Sequence, residues 1–244
     1  MLLPVLGLIE TGAQAHADRY AYLPQIGLLL IAAWGVADLS AKWEGRREIA
    51  GLAAGVGIAL LALRAHDQAA TWQDSVTLWN SAVENTGPNS TAENNLGNAL
   101  LHKGRIEEAF LHLGNALKID PGLADAHLSM GNAFLESGRT GDAIAEYRRA
   151  LQLRPDFASA HINLGNALLE SNLPADAIAE YQRALEINPD SPAARNNLGE
   201  AFRRGGRLDD AITQFQEAVA LDPGYQSARD NLALALREKE QGSK

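Results

Sequence analysis

Four columns of residues in this chain keep a single spacing. Gly97, Gly131, Gly165 and Gly199 stand 34 residues apart. So do Ala109, Ala143, Ala177 and Ala211, then Ala116, Ala150, Ala184 and Ala218, and finally Pro121, Pro155, Pro189 and Pro223. Four independent columns holding one period over four copies leave little freedom of fold, because a period of 34 residues belongs to a helix–turn–helix unit. One such unit cannot bury its apolar face alone, so neighbours must stack into a solenoid.

Each column has a chemical reading. Gly and Ala are expected where two helices cross closely, since a larger side chain would push the axes apart. Aromatic residues are expected to fill the space between one repeat and the next. The Pro cannot continue the second helix and so ends it. Turns such as Lys103-Gly104-Arg105, Ser137-Gly138-Arg139 and Gly205-Gly206-Arg207 join the two helices.

At these positions the chain resembles the tetratricopeptide repeat (TPR) family, whose pattern is a large residue, Leu-Gly, an aromatic, Ala, an aromatic and a closing Pro. Leu96-Gly97, Met130-Gly131, Leu164-Gly165 and Leu198-Gly199 supply the first helix. Leu100, Phe134, Leu168 and Phe202 hold the first aromatic column, and Leu113, Tyr147, Tyr181 and Phe215 the second. Where the family has Trp, this chain has Glu93, His127, His161 and Arg195. The resemblance implies an all-α fold, a right-handed TPR superhelix or α-solenoid, over residues 89–225.

Half repeats flank the four copies. Residues 67–88 contain Trp79 and Ala82, three apart like Tyr181 and Ala184, and should form a lone second-type helix. Residues 226–244 should form a first-type helix, with Asn231-Leu232-Ala233 where Asn197-Leu198-Gly199 would recur, followed by a polar tail from Lys239 that frays. Ten helices are therefore expected over residues 72–238.

The first 66 residues differ in kind. They hold five acids and five bases, so the net charge of −9 resides in the repeats. An acidic array argues against nucleic-acid partners, which require clustered Lys and Arg. Residues 1–9, without a basic leader, read as the last part of a longer helix rather than a secretory signal. Residues 23–39 and 49–64 are apolar all around and are expected to be transmembrane helices, with Trp34 and Trp43 as interface anchors. Both runs are short of the ~20 residues of a full span. The alternative is that they are buried helices of a soluble domain. Lys42, Arg46 and Arg47 between them are expected to place that loop in the cytoplasm, and the repeats on the opposite, periplasmic face of a bacterial inner membrane; Arg64 opposes this orientation weakly.

The run HADRYAYLPQIGL, from His16 to Leu28, followed by two apolar runs and TPRs, is similar to the C-terminal end of membrane-bound, TPR-containing O-mannosyltransferases and their bacterial relatives. That resemblance implies a lipid-linked sugar donor and TPRs on the lumenal or periplasmic side. The family's acidic catalytic motif lies in an early loop that this chain does not contain, so no catalytic residue is assigned.

The candidate binding residues lie on the first helix of each repeat. Asn95, Ser129, Asn163, Asn197 and Asn231 form one column, and Asn98, Asn132 and Asn166, with Glu200 as fourth member, another three residues on. That spacing puts both columns on one helical face. An Asn amide offers donors and an acceptor, so a ladder of them suits an extended peptide backbone; the alternative is that the amides tie neighbouring helices together. The TPR arm of the intracellular O-GlcNAc transferase, which these repeats resemble, uses such a ladder. A different TPR class grips carboxylates with Lys and Arg, for which only Arg203 and Arg204 qualify. Asp18, Arg19 and Tyr20 read either as a helix-end turn fixed by a salt bridge or as a loop holding Arg19 against a lipid phosphate. No metal or cofactor is expected: the His127–His161 spacing is the repeat itself, and no phosphate-binding Gly loop or zinc spacing occurs. The expected partners are a protein or peptide on the concave face and membrane lipid around the N-terminal spans.

Overall fold

The computed structural model describes residues 56–57 and 74–242. Among them are ten helices and no strand: α1 (Ser75–Asn85), α2 (Ser90–Leu101), α3 (Ile106–Ile119), α4 (Ala124–Glu136), α5 (Thr140–Leu153), α6 (Ala158–Glu170), α7 (Pro174–Ile187), α8 (Pro192–Arg204), α9 (Leu208–Leu221) and α10 (Gln226–Gly242). The expected spans at 23–39 and 49–64 lie outside the described residues, apart from helical residues 56 and 57. So does the Asp18-Arg19-Tyr20 loop. Among the described residues no helix is long and apolar enough to cross a membrane.

The chain divides into two compact units, residues 1–99 and 100–244. In the first, Asp74 caps α1 by accepting from the Val76 N–H, and Asn89 caps α2 by accepting from Ala92. In the second, consecutive helices pack in order from α3 to α10, and first-type helices also meet across repeats, α4 on α6, α6 on α8 and α8 on α10. Its core runs along the stack, with Tyr147, Tyr181 and Phe215 fully enclosed among the Ala columns and Leu164, Leu168 and Leu198.

Two local devices make the repeat. At the turn after each first helix, one residue takes the left-handed conformation: Gly104 (φ 71°), Gly138 (75°), Asn172 (58°) and Gly206 (75°). Asn is the residue that tolerates this region with least cost after Gly, which is why the third copy turns without a glycine. The chain then closes a Schellman-type bond, as from Arg139 N–H to Phe134 O (2.8 Å) and Leu173 N–H to Leu168 O (2.9 Å). At the other end, Asp120, Arg154, Asn188 and Asp222 leave the helical region because a Pro follows each.

The Gly column has a more specific role than a close crossing of axes. A Cβ on Gly131 would lie 2.4 Å from the Tyr147 ring, on Gly165 2.6 Å from Tyr181, and on Gly199 2.6 Å from Phe215. Each glycine is thus the floor on which the aromatic ring of its own repeat lies. The rings fill space within a repeat, rather than only between repeats as the pattern suggested.

Three of the four residues that stand in place of the family Trp, His127, His161 and Arg195, act as braces. His127 puts Nδ1 2.6 Å from Glu146 and Nε2 3.1 Å from the Pro121 carbonyl; His161 does the same with Glu180 (2.7 Å) and Pro155 (3.0 Å). Arg195 repeats the arrangement with Glu217 and the Pro189 carbonyl. Each brace ties a first helix to its second helix and to the preceding loop. At the C-terminal end, α10 runs as far as Gly242, through part of the stretch expected to fray. Lys239 forms an exposed ion pair with Asp209 of α9 at 2.5 Å.

Candidate functional site

The first helices set the asparagines out in register, and packing of successive repeats brings the two columns together. Asn132 on α4 takes two hydrogen bonds on Oδ1, one from Tyr147 Oη (2.8 Å) and one from Asn163 Nδ2 of α6 (2.8 Å). One repeat further on, Asn166 Oδ1 accepts from Tyr181 Oη (2.7 Å) and from Asn197 Nδ2 of α8 (3.0 Å). The second-column amide of one repeat is thus bridged to the first-column amide of the next, twice over. All four asparagines are half-buried, so each retains an edge toward solvent. Asn132 Nδ2 and Asn163 Oδ1 take no part in the bridge, and neither does Asn166 Nδ2.

The remaining candidates behave differently. Ser129 is 3% exposed, and its hydroxyl donates back to the Asp125 carbonyl of its own helix at 2.8 Å. It does not join the ladder. Asn231 donates to Asn196 Oδ1 (2.9 Å), not to the second column. Asn95 and Asn98 lie half-buried on α2 in the other unit, where Asn95 Oδ1 accepts from Asn94 (3.3 Å).

The pattern changes where the sequence changes. In the fourth copy Phe215 has no hydroxyl, and Glu200 stands where Asn is expected. Glu200 binds Arg203 through both oxygens (2.8 Å each) and Arg204 (2.8 Å), and Arg203 also reaches Glu238 of α10 (2.9 Å). Both arginines are therefore engaged within the protein, which removes the reason to assign them to a carboxylate clamp. Burial alone would raise the Glu200 carboxyl; the hydrogen bonds from Arg203 and Arg204 outweigh it and hold the group below the usual carboxylate range. A depressed carboxyl stabilises the fold above its unfolded value, and the contribution is lost as pH falls through its folded value. The stability difference between the parent and Glu200→Gln is accordingly expected to shrink as pH is lowered from 6 to about 3, measured by thermal melts across pH. A gap independent of pH would place the carboxylate outside the network.

Neither the Tyr hydroxyls nor Asn196 were evident as site components from residue columns alone. The signal was present: Tyr faces Asn in the second and third copies, and Phe faces Glu in the fourth. Burial pushes both phenols above their ordinary value, so they keep their protons as donors. Among the described residues, no three His, Asp or Glu are placed to hold a metal.

The profile of the family described as "Tetratricopeptide repeat" matches residues 128–192 and 170–226, and that of "TPR repeat" matches residues 97–138. The chain is a tetratricopeptide repeat protein. Protein O-mannosyl-transferase Tmtc2 of Drosophila melanogaster is 32% identical over 127 residues, 52% of this TPR chain and 13% of that protein. The chain therefore matches only a small part of the length of this relative. Among solved structures, YrrB, described as a TPR protein with an unusual peptide-binding site, is 26% identical with a TM-score of 0.56, over 66% of this chain and 84% of that one. PilF of Pseudomonas aeruginosa is 27% identical with a TM-score of 0.59, over 62% and 69% of the two chains.

Proposed function

We propose that the chain is a membrane-anchored TPR scaffold that binds an extended protein or peptide segment through the asparagine face of its first helices, with no chemistry of its own. The observation that carries this reading is the pair of half-buried amide bridges, Asn132–Asn163 and Asn166–Asn197. They place equivalent polar edges on adjacent repeats, and a peptide main chain offers repeating groups to match. The resemblance to YrrB, a TPR protein described by its peptide-binding site, supports the same reading. Titration of the full chain with a blocked glycine–serine decapeptide tests it, because that probe offers main chain with almost no side chain. Binding is expected, and Asn163→Ala with Asn197→Ala should weaken it by about tenfold or more, since each lost hydrogen bond is worth ~0.5–1.5 kcal/mol. A folded double variant that binds as before would make the ladder purely structural.

A second reading is that the repeats form the partner-binding tail of a polytopic glycosyltransferase that uses a lipid-linked sugar. The likeness of about half of the chain to Tmtc2 favours it. In either case residues 1–66 would anchor the chain in a membrane, a bacterial inner membrane in this reading, with residues 67–88, 89–225 and 226–244 as half repeat, array and cap on the periplasmic side. Lipid would surround the spans at 23–39 and 49–64, with Asp18, Arg19 and Tyr20 near the headgroups. Fractionation is decisive for the anchor: recovery of the full chain without detergent would remove it. Further apolar spans encoded in frame upstream of Met1, with an acidic pair in an early loop, would select the transferase reading.

A further inference from the structure

We propose that Tyr147 and Tyr181 are positioning residues that fix the polarity of the asparagine ladder, so that second-column amides face a ligand as donors and first-column amides as acceptors. This rests on the peptide-binding reading above for its ligand, but not for its geometry. An Asn amide has two ends, and a bridge between two of them can be built either way round. With Asn132 Oδ1 turned inward, it accepts from Tyr147 and from Asn163. With the amide reversed, Asn132 Nδ2 would donate to both the phenol oxygen and Asn163 Oδ1, and the bridge would still close. The phenol proton breaks the tie. Tyr147 and Tyr181 are each 0% exposed, and each hydroxyl donates to an Asn oxygen, at 2.8 and 2.7 Å. Reversal would leave a buried donor unsatisfied, which is costly. The same inward turn occurs in two successive copies, so both bridges point the same way.

The consequences follow atom by atom. Asn132 and Asn166 have their carbonyl oxygens filled and present N–H groups. Asn163 and Asn197 have given an N–H to the preceding repeat; Asn163 keeps Oδ1 for an incoming donor, while Asn197 Oδ1 also lies 3.4 Å from Asn196 Nδ2. Each bridge is then a donor beside an acceptor, the complement of a peptide unit's C=O and N–H. The fourth copy departs from this arrangement. Phe215 offers no proton, no Asn stands opposite, and Asn231 turns to Asn196 instead. The Asn132–Asn163 and Asn166–Asn197 bridges occur in the two copies that carry the tyrosine.

The test reads polarity without a ligand and then with one. In the full chain, side-chain amide exchange is followed by NMR for Asn132, Asn163, Asn166 and Asn197, in the parent and in Tyr147→Phe with Tyr181→Phe. In the parent, the Asn163 and Asn197 amides should exchange at least about tenfold more slowly than those of Asn132 and Asn166, because the former donate and the latter do not, and one hydrogen bond of protection corresponds to a factor of this order. In the double variant that asymmetry should collapse while backbone amides stay protected. Equal exchange in the parent, or asymmetry that survives the double variant, would overturn the proposal. The blocked glycine–serine decapeptide should bind the double variant about tenfold more weakly than the parent, and its alternately N-methylated form should bind the parent more weakly than the unmodified peptide. Where the parent binds the peptide, equal affinity of the double variant would also overturn it. If the asymmetry is present and the parent ignores the peptide, the peptide-binding reading fails and the ladder's polarity stands.

Discussion

Gly165→Leu is expected to destabilise the array by about 2–3 kcal/mol or more, at the upper end of what overpacking a tight core costs. The Cβ alone would come within 2.6 Å of Tyr181 Cε1, 2.8 Å of Cζ and 2.9 Å of Cδ1. A flexible neighbour would swing away. Tyr181 cannot, because it is 0% exposed and its hydroxyl is held by Asn166. The position also lies mid-array, with α5 and α8 packed on either side of the α6–α7 pair, so a displaced ring would disturb the next repeat. The melting temperature should fall by roughly 5–10 °C, at about 2–4 °C per kcal/mol for a chain of this size. Gly114→Ala is the matched control. Its Cβ meets nothing within 4 Å, and it sits inside α3, so the change should be neutral or slightly stabilising. Equal melting temperatures for the parent and Gly165→Leu would show that the aromatic ring does not need the glycine floor.

The contrast between these two glycines shows what a sequence of this kind reveals. Period and helix boundaries were legible because each depends on a local cause that recurs: a Pro that forces the preceding residue extended, and a residue that can turn left-handed. The Asn at 172 replaces Gly without disturbing the turn, and the chain of columns was readable through it. The first helices and their asparagines could be placed on one face from spacing alone. What those side chains do was not legible, because it depends on partners 15 and 31 residues away, such as Tyr147 and Asn163 around Asn132. Ser129 illustrates the limit. It shares a column with four asparagines, yet a hydroxyl is short enough to bond to its own helix four residues back, and it turns inward. His127 and His161 show the same limit in reverse: a repeat spacing excluded a metal reading, while the bracing role needed the position of Glu146 and Glu180 in space.

Removal of the aromatic ring itself should have the largest effect of all. Tyr181→Ala is expected to cost ~3–5 kcal/mol, as for other fully buried aromatics, since the void lies between well-packed layers that can collapse only in part. Tyr181→Phe should cost only about 1 kcal/mol, the net worth of one hydrogen bond, since the Asn166–Asn197 bridge can still close in either sense without the phenol. The difference between the two variants separates the ring from its hydroxyl. Location of the damage adds a second readout. Each repeat of a solenoid is stabilised by its neighbours alone, so a weak central unit uncouples the flanks instead of lowering the whole evenly. In Tyr181→Ala, backbone amides of α6 and α7 should lose exchange protection first, while those of α9, which packs on α8 and α10, keep more of theirs. Hydrogen exchange followed along the chain would measure this. A uniform loss of protection from α3 to α10 would mean that the array unfolds as a single cooperative body, and that Tyr181 contributes to it no differently from any other buried ring.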